Sequence, residues 1–319
     1  MEPCDPIRLF PGAGGFPMDP AAVFGRGGPL VVEVGFGNAS FLAGLCRENP
    51  DWNLIGVEIT SASMTRGVSQ IRRKGLDHVR VLCADARALV TEMLPERSLH
   101  RIYVNFPDPW PKEKHLDRRL LQEGFFRLLS TRLEDGGELW FTTDHAEYFG
   151  FSMREARATG LYEVIEGPPP SATLDTKYAQ RWQAEGIVIN HVVFRMKSRD
   201  PNPHPCRLEV VEVAHARLDG DLSEVTRFEK QVHEIENGHV VLLDCARSLD
   251  RERLRVEVLV DEADLRQEVV IEARETSTGI YVELSSFGRP AVTRGVRRAV
   301  VLVADWLASC GLRKIETVG

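Results

Sequence analysis

The 319-residue sequence has no apolar run long enough to cross a bilayer, since a membrane-spanning helix needs about 20 consecutive apolar residues. Its amino terminus also lacks the basic stretch followed by an apolar stretch that marks a secretory signal. Both absences argue against a membrane partner. We therefore expect a cytoplasmic protein.

Cysteine is scarce and scattered, with six residues and no Cys-x-x-Cys pair. This spacing supports neither a zinc site nor a disulfide framework. No other part of the sequence calls for a metal ion, so we expect reduced thiols and no metal.

An excess of basic residues is also absent. The chain carries 40 basic and 47 acidic residues, a net charge of −7, which is not typical of a nucleic-acid binder as a whole. Net charge does not describe local patches, however. Hydrophobic residues make up 43% and charged residues 27%, as in ordinary globular proteins, which excludes a collagen-like, disordered or coiled-coil chain.

The sequence divides into four regions. Residues 1–29 are rich in Gly and Pro and predict an irregular lead-in. Residues 30–197 alternate apolar runs with helix-like stretches, which predicts an α/β domain with a parallel sheet. Residues 198–205 form a proline-rich linker, and residues 206–319 predict a small α+β accessory domain of unknown role.

Nearly continuous apolar runs predict buried parallel strands, and two later runs predict an antiparallel hairpin that closes the sheet. The parallel runs are Leu30–Val34, Leu54–Val57, Val79–Leu82, Arg101–Phe106 and Glu138–Thr142, and the hairpin runs are Tyr162–Glu166 and Ile187–Met196. The helix-like stretches are Ala39–Glu48, Ser63–Arg73 and Arg119–Arg132.

The last region has a different pattern. Alternating apolar residues over 254–260 and 280–284 predict half-buried antiparallel strands. Apolar residues at 222, 225, 228, 232 and 235 share one helical face and predict a helix, and those at 296, 300, 303 and 307 predict another.

The first candidate site is the segment Glu33-Val34-Gly35-Phe36-Gly37-Asn38 between a strand and a helix. Gly35 and Gly37 permit a sharp turn and a close approach of the backbone to a ligand. Ser40 stands where a dinucleotide fingerprint has its third glycine, so that pattern fails. The carboxylate of Glu33 suits a cation such as the sulfonium or ammonium group of S-adenosylmethionine, although an ordinary strand-to-helix turn is the alternative.

Two more acids follow the next two predicted strands. Glu58 suits the hydroxyls of an adenosine ribose, and Asp85 suits an adenine amino group. Each residue alone is also typical of a helix cap or a solvated turn. Together with Glu33 they predict three carboxylates at one edge of the sheet, where open α/β sheets bind ligands.

The most specific segment is Asn105-Phe106-Pro107-Asp108-Pro109-Trp110-Pro111-Lys112. Its prolines stiffen a loop that presents a carboxylate and an aromatic ring. Lys112, Lys114, Arg118 and Arg119 form a basic patch beside it, and phosphate attraction with ring stacking is typical of RNA loop recognition. The alternative is a rigid Pro-Trp turn before a solvated helix start.

Two weaker segments complete the set. Asp144 follows the last parallel strand, and we expect it near Asp108 across the same crevice. Thr176, Lys177 and Tyr178 lie in a long loop over the sheet edge, where charged and aromatic residues favour substrate contact.

These motifs, in this order over residues 30–197, resemble the bacterial tRNA (guanine-N7)-methyltransferase family. The resemblance implies a Rossmann-like methyltransferase sheet, S-adenosyl-L-methionine as methyl donor, and methylation of a guanine N7 in the tRNA variable loop, at position 46 of the tRNA. It implies Asp108 as the catalytic residue. Cofactor contacts would come from Glu33, Gly35, Gly37, Glu58, Asp85 and Asp108, and substrate contacts from Lys112, Arg118, Arg119, Asp144, Thr176, Lys177 and Tyr178.

One position departs from the family pattern. Ala179 stands where the family often has a glutamate after Thr-Lys-aromatic, so the role of that glutamate is open here. Guanine N7 carries a lone pair and no proton, so we expect positioning and electrostatic catalysis without a general base.

Two alternatives remain open from the sequence: an RNA-binding protein with a vestigial cofactor site, and a methyltransferase acting on another RNA. The oligomeric state, monomer or homodimer, is open as well.

Overall fold

The computed structural model of the chain describes residues 5–249 and 252–318, with the side chains of Lys177 and Tyr178 outside that description. The described residues form two compact units. The first comprises residues 5–9 and Pro17–Cys206, and the second comprises Phe10–Phe16 and residues 207–318.

The first unit contains an eight-stranded sheet in the order β1-β4-β3-β2-β5-β6-β8-β7. Its strands are β1 (Arg8–Leu9), β2 (Leu30–Val34), β3 (Asn53–Glu58), β4 (Val79–Cys83), β5 (Leu99–Asn105), β6 (Leu133–Thr143), β7 (Tyr162–Glu166) and β8 (Asn190–Met196). Strands β1 to β6 pair in parallel, whereas β8 runs antiparallel to both β6 and β7. This confirms the predicted Rossmann-like sheet with its closing hairpin.

Helices lie between the strands of this sheet in the chain order. They are α1 (Pro20–Phe24), α2 (Ser40–Glu48), α3 (Ser61–Lys74), α4 (Ala86–Ala88), α5 (Glu123–Arg132), α6 (Ala146–Thr159), α7 (Ser171–Leu174) and α8 (Lys177–Ala184). Local chemistry sets several ends: the Thr60 side chain accepts from the Ser63 amide at the start of α3, and Gly75 ends that helix at φ 63°. The helix predicted from Arg119 begins only at Glu123, after a 3₁₀ turn over Glu113–Arg118.

The proline-rich stretch 198–205 is a packed segment of the first unit, which differs from the predicted linker. Asp200 is 6% exposed, and its amide donates to the Ser130 hydroxyl at 3.0 Å. The buried guanidinium of Arg132 donates to the His204 carbonyl at 2.6 Å. The boundary between the units therefore falls at Cys206 and Arg207.

The amino-terminal region is also more regular than predicted. It contains β1, which pairs in parallel with β4, and the short helix α1. Asp19 caps α1 by accepting from the Ala21 amide at 2.9 Å.

The second unit is a seven-stranded antiparallel sheet in the order β10-β11-β12-β13-β14-β9-β15, with one long helix packed against it. The elements are β9 (His215–Asp219), β10 (Gln231–Ile235), β11 (Gly238–Arg247), β12 (Arg253–Glu262), β13 (Leu265–Thr276), β14 (Gly279–Leu284), α9 (Arg294–Ser309) and β15 (Arg313–Val318). The predicted strands around 254–260 and 280–284 and the predicted second helix are confirmed.

The helix predicted over residues 222–235 is wrong. The chain forms a 3₁₀ turn at Leu222–Glu224 and then the edge strand β10. Ile235 pairs with Gly238 across the two-residue turn Glu236-Asn237, and Gly238 has φ 153° with no room for a Cβ beside the Asp261 carbonyl. Hairpin formation therefore overrides the helical spacing of the apolar residues.

Among the described residues, no helix combines the length and apolar character needed to cross a membrane.

Candidate active site

The loop between β2 and α2 is fastened by one aromatic side chain. Gly35 and Gly37 have φ of 72° and 52°, the left-handed region that favours glycine. Between them, Phe36 is 3% exposed. A Cβ added to Gly56 would come within 2.6 Å of the Phe36 ring, and a Cβ added to Gly67 would come within 2.3 Å of it. The absence of side chains at these two positions, on β3 and α3, thus lets Phe36 hold the loop against the sheet.

The buried polar atoms of two side chains meet at the carboxyl end of β2 and β5. Glu33 is 3% exposed, and burial raises the pKa of its carboxyl to about 8. Asn105 lies beside it, and the polar contact between the two side chains acts to lower this pKa. The contact does not reach hydrogen-bond geometry, because Glu33 Oε2 and both polar atoms of the Asn105 side chain have no hydrogen-bond partner among the described residues. Unpaired buried polar groups are costly, so this pair marks a place for the polar groups of a ligand.

Glu58, at the end of β3, holds the glycine loop from its other side. Its Oε2 accepts from the Gly37 amide at 3.3 Å, and its Oε1 accepts from the amides of Ile59 and Thr60 at 3.0 and 3.3 Å. Its charge also adds to the raised pKa of Glu33. The carboxylates predicted at the first two strand tips therefore share one site.

Asp85 follows β4 at the same edge, because the Ala84 amide donates to the Glu58 carbonyl at 3.1 Å. Its side chain caps α4 and accepts from the Arg87 amide at 2.7 Å. The structure thus shows the capping role, and the contact with an adenine amino group stays a prediction.

The loop after β5 carries Asp108 in an exposed position. Two non-glycine residues of this loop, Phe106 and Trp110, have φ of 50° and 42°. The loop begins at a fixed point, since the Phe106 amide donates to the Thr142 carbonyl of β6 at 2.8 Å. Left-handed conformations at such residues cost energy and cluster at functional sites, which marks this loop as part of the site.

Arg119 requires a correction. Its side chain is completely buried, so it does not offer the predicted phosphate contact. Its Nε donates to the Pro109 carbonyl at 2.8 Å and its Nη1 to Glu147 Oε1 at 3.1 Å. The guanidinium also lies 4.9 Å from the Tyr148 ring centroid and 4.8 Å from that of Phe151. Arg119 therefore ties the Asp108 loop to α6.

The other predicted basic contacts are exposed. Lys112 is exposed at the start of the 3₁₀ turn. Arg118 is exposed, and its guanidinium lies 4.8 Å from the centroid of the Trp110 ring. Their contact with substrate phosphates stays a prediction.

Asp144 is half-buried directly after β6. Strands β5 and β6 are parallel neighbours with Asn105 opposite Thr142. Asp144 and the start of the Asp108 loop therefore lie at the same edge of the sheet.

The remaining predicted contacts lie around α8. The Thr176 hydroxyl caps this helix, accepting from the Ala179 amide at 3.3 Å and donating to the Thr173 carbonyl at 2.8 Å. Ala179 is completely buried. The predictions for Lys177 and Tyr178 fall on side chains outside the described part of the structure.

Comparison with known proteins places this site in a family. Residues 27–192 match the family described as a putative methyltransferase. A tRNA (guanine-N(7)-)-methyltransferase of Thermus thermophilus is 42% identical over 94% of this chain and 96% of its own length. The chain belongs to the tRNA (guanine-N(7)-)-methyltransferase family.

Two further members of this tRNA (guanine-N(7)-)-methyltransferase family differ in how much of the chain they match. One from Deinococcus radiodurans is 39% identical over 93% of this chain and 95% of its own length. One from Methylococcus capsulatus is 38% identical over 56% of this chain and 79% of its own length. The second unit is therefore shared with the Thermus and Deinococcus members.

Family membership confirms the predicted methyltransferase, and its methyl donor is S-adenosyl-L-methionine. The residues present fit this group. Glu33 and Asn105 offer buried polar atoms without partners, and the loop of Gly35 and Gly37 leaves the backbone free of side chains beside them. Burial favours the protonated form of Glu33 in the ligand-free chain, and an adjacent cation favours the carboxylate form, which suits the cationic groups of the cofactor.

The sequence patterns do not single out two features of the site. They indicate Asn105 only as part of the loop motif, although a polar residue that ends an apolar strand is a recognisable signal. No local signal marks Phe36 as the anchor of the glycine loop, because Gly56 and Gly67 lie 20 and 31 residues away along the chain.

Proposed function

We propose that this protein transfers the methyl group of S-adenosyl-L-methionine to N7 of a guanine in the variable loop of tRNA. The observation that carries the proposal is the position of Asp108. Its loop starts at Asn105, the residue that lies beside Glu33 in the cofactor-binding edge. A substrate held by Asp108 would therefore lie next to the methyl donor.

The chemistry requires orientation rather than proton removal. The bound cofactor supplies an electrophilic methyl group on a positively charged sulfur. Guanine N7 has a lone pair and no proton, so the side chains need only hold the ring in line and stabilise the positive charge that it gains. Asp108 and Asp144 suit both tasks, because carboxylates accept hydrogen bonds from guanine N1–H and the N2 amino group.

Arg119 is a positioning residue in this mechanism. It donates to the carbonyl of Pro109, the residue directly after Asp108. By joining the loop to Glu147 on α6 it limits the movement of the Asp108 carboxylate.

Lys112 and Arg118 would hold the phosphates of the RNA near the loop. Both are exposed, and Arg118 lies over Trp110, so a basic and an aromatic surface are available together. Contacts of this type make RNA binding weaken as salt rises.

The experiment measures methyl transfer from labelled S-adenosyl-L-methionine to unmodified tRNA, followed by aniline cleavage to map N7 methylation. We expect cleavage at one guanine of the variable loop. Asp108→Ala should lower kcat by about 100-fold, the usual effect of removing one group that stabilises developing charge. Asp51→Ala is the matched control, because Asp51 is exposed before the start of β3, at the opposite edge of the sheet.

An enzyme that binds the cofactor but yields no N7 product would overturn the proposal. Cleavage only outside the variable loop would contradict the proposed position. Full activity of Asp108→Ala would remove Asp108 from the catalytic role.

A further inference from the structure

Helix α3 carries an unusual charge for this protein. Its residues Ser61–Lys74 include four basic side chains and no acidic one, although the whole chain has a net charge of −7. The basic residues are Arg66, Arg72, Arg73 and Lys74, and all four are exposed. A helix of this composition attracts anions.

A shallow groove of about 420 Å³ runs along α3 and is lined only by polar and charged residues: Asn38, Thr65, Arg66, Ser69, Gln70 and Arg73. Five of these come from α3, and Asn38 directly follows Gly37 of the glycine loop. Such a lining offers guanidinium and side-chain amide donors in one place, a set that suits phosphate and ribose oxygens. The Thr65 and Ser69 hydroxyls donate to the Ser61 and Thr65 carbonyls of their own helix.

The two arginines of the groove are not neutralised. Arg66 donates to the Ser63 hydroxyl at 2.9 Å, and Arg73 donates to the Gln70 side chain. Both partners are uncharged, and within residues 5–249 and 252–318 neither arginine forms an ion pair. Arg72 on the same helix differs, since its guanidinium pairs with Asp5 at 2.8 Å.

The groove is also joined to the cofactor site through packing. Gly67 of α3 lies against the ring of Phe36, which sits between the two glycines of the loop. A ligand in the groove would therefore contact α3 and Asn38 of the glycine loop, and the packing of Phe36 against Gly67 holds these two segments together.

We propose that this α3 groove binds the phosphate backbone of the RNA substrate, with Arg66 and Arg73 as its main contacts. The inference rests on the proposed function for the identity of that RNA. Guanidinium groups bind phosphate through two parallel hydrogen bonds. The groove is separate from Lys112 and Arg118, because α3 follows β3 whereas their loop follows β5, two strands away in the sheet.

The test uses the full-length protein carrying Arg66→Gln with Arg73→Gln. Filter binding measures the Kd for unmodified tRNA between 50 and 200 mM salt, and calorimetry measures the Kd for S-adenosyl-L-methionine. We expect the tRNA Kd to rise about tenfold and the slope of log K against log salt to become shallower by about 1.5, as for two lost phosphate contacts. Cofactor affinity should stay within about twofold, since the substitutions do not touch Glu33 or Glu58.

The matched control is Arg154→Gln with Arg157→Gln, which removes two exposed charges from α6 at the other end of the sheet. It should leave both the Kd and the salt slope close to the wild-type values. A third variant, Arg66→Lys with Arg73→Lys, keeps the charge and should keep the salt slope. Thermal unfolding of all three variants checks that the fold is retained.

A groove variant with the same tRNA Kd and salt slope as the α6 control would overturn this inference. Methylation of tRNA by the wild type would in that case still support the proposed function. A wild type that binds tRNA without methylating it would overturn the proposed function, and a selective loss of binding in the groove variant would then still support the groove. A wild type that does not bind tRNA would overturn both.

Discussion

Arg119 and Glu147 form an ion pair in which the guanidinium is completely buried and the carboxylate is 56% exposed. The pair links α6 to the loop of Asp108, because Arg119 also donates to the Pro109 and Trp110 carbonyls. Hydrogen bonding from Arg119 lowers the pKa of Glu147, which keeps this carboxylate charged. A buried charge thus serves to hold an irregular loop in place.

Replacing Arg119 by Gln should impair catalysis more than cofactor binding. The loop would lose its tie to α6, and small displacements of a catalytic group cost up to about 100-fold in rate. We expect kcat for tRNA methylation to fall by roughly 10- to 100-fold, with a small change in the Kd for S-adenosyl-L-methionine. Steady-state kinetics and calorimetry measure the two effects.

The control for that variant is Arg118→Gln at the neighbouring exposed position, which should raise the KM for tRNA and leave kcat nearly unchanged if Arg118 contacts phosphate. A normal kcat in Arg119→Gln would show that Asp108 does not depend on this tie.

Glu33 should make the stability of the ligand-free protein depend on pH. The pKa of its carboxyl is about 8 in the folded chain and 4.5 in its ordinary environment, so between these values the folded state holds a proton that the unfolded state has released. The free energy of unfolding should then fall as pH rises from 4.5 to 8, by at most about 1.4 kcal/mol per pH unit from this group.

Glu33→Gln lacks this titration. The free energy of unfolding of Glu33→Gln minus that of the wild type should therefore increase from pH 5 to pH 8 and level off above pH 8. Urea unfolding without cofactor measures this difference. Parallel stability profiles of the two proteins would contradict the buried, protonated state of Glu33.

Glu58→Gln should weaken cofactor binding. The amides of Gly37, Ile59 and Thr60 fix the carboxylate beside the glycine loop, and a cofactor hydroxyl that donates to this charged group would contribute about 1.5–3 kcal/mol. We expect the Kd for S-adenosyl-L-methionine to rise roughly 10- to 100-fold on that basis. Glu48→Gln, at an exposed position at the end of α2, serves as the control, and equal affinities of the two variants would count against a cofactor contact of Glu58.

Gly67→Ala and Gly124→Ala should change stability in opposite directions, although both replace a helical glycine. A Cβ on Gly67 would lie 2.3 Å from Phe36 Cε2, and forcing an extra methyl group into a packed site costs about 1–3 kcal/mol. A Cβ on Gly124 in α5 meets nothing within 4 Å, so alanine there should stabilise by up to about 1 kcal/mol. Thermal or urea unfolding of both variants measures the difference, and equal effects would contradict the anchoring role of Phe36.

Features that depend on short segments follow from the sequence alone. Strands Leu30–Val34 and Tyr162–Glu166 were predicted with the bounds that the structure shows, because continuous or alternating apolar residues are a local property. The sequence also indicates that the acids at or after the ends of β2, β3 and β4 share one edge, since parallel strands bring their carboxyl ends together.

Which of those residues are exposed, and which are held in contacts with other side chains, depends on the folded chain. Arg119 looked like a surface base, but packing against Tyr148 and Phe151 buries it. Residues 222–235 looked helical, but pairing of β10 with β11 satisfies their backbone in a hairpin. Burial and the pairing of strands depend on residues far apart in the chain, so a local sequence pattern does not specify them. The raised pKa of Glu33 and the groove between Asn38 and α3 therefore exist only once the chain has folded.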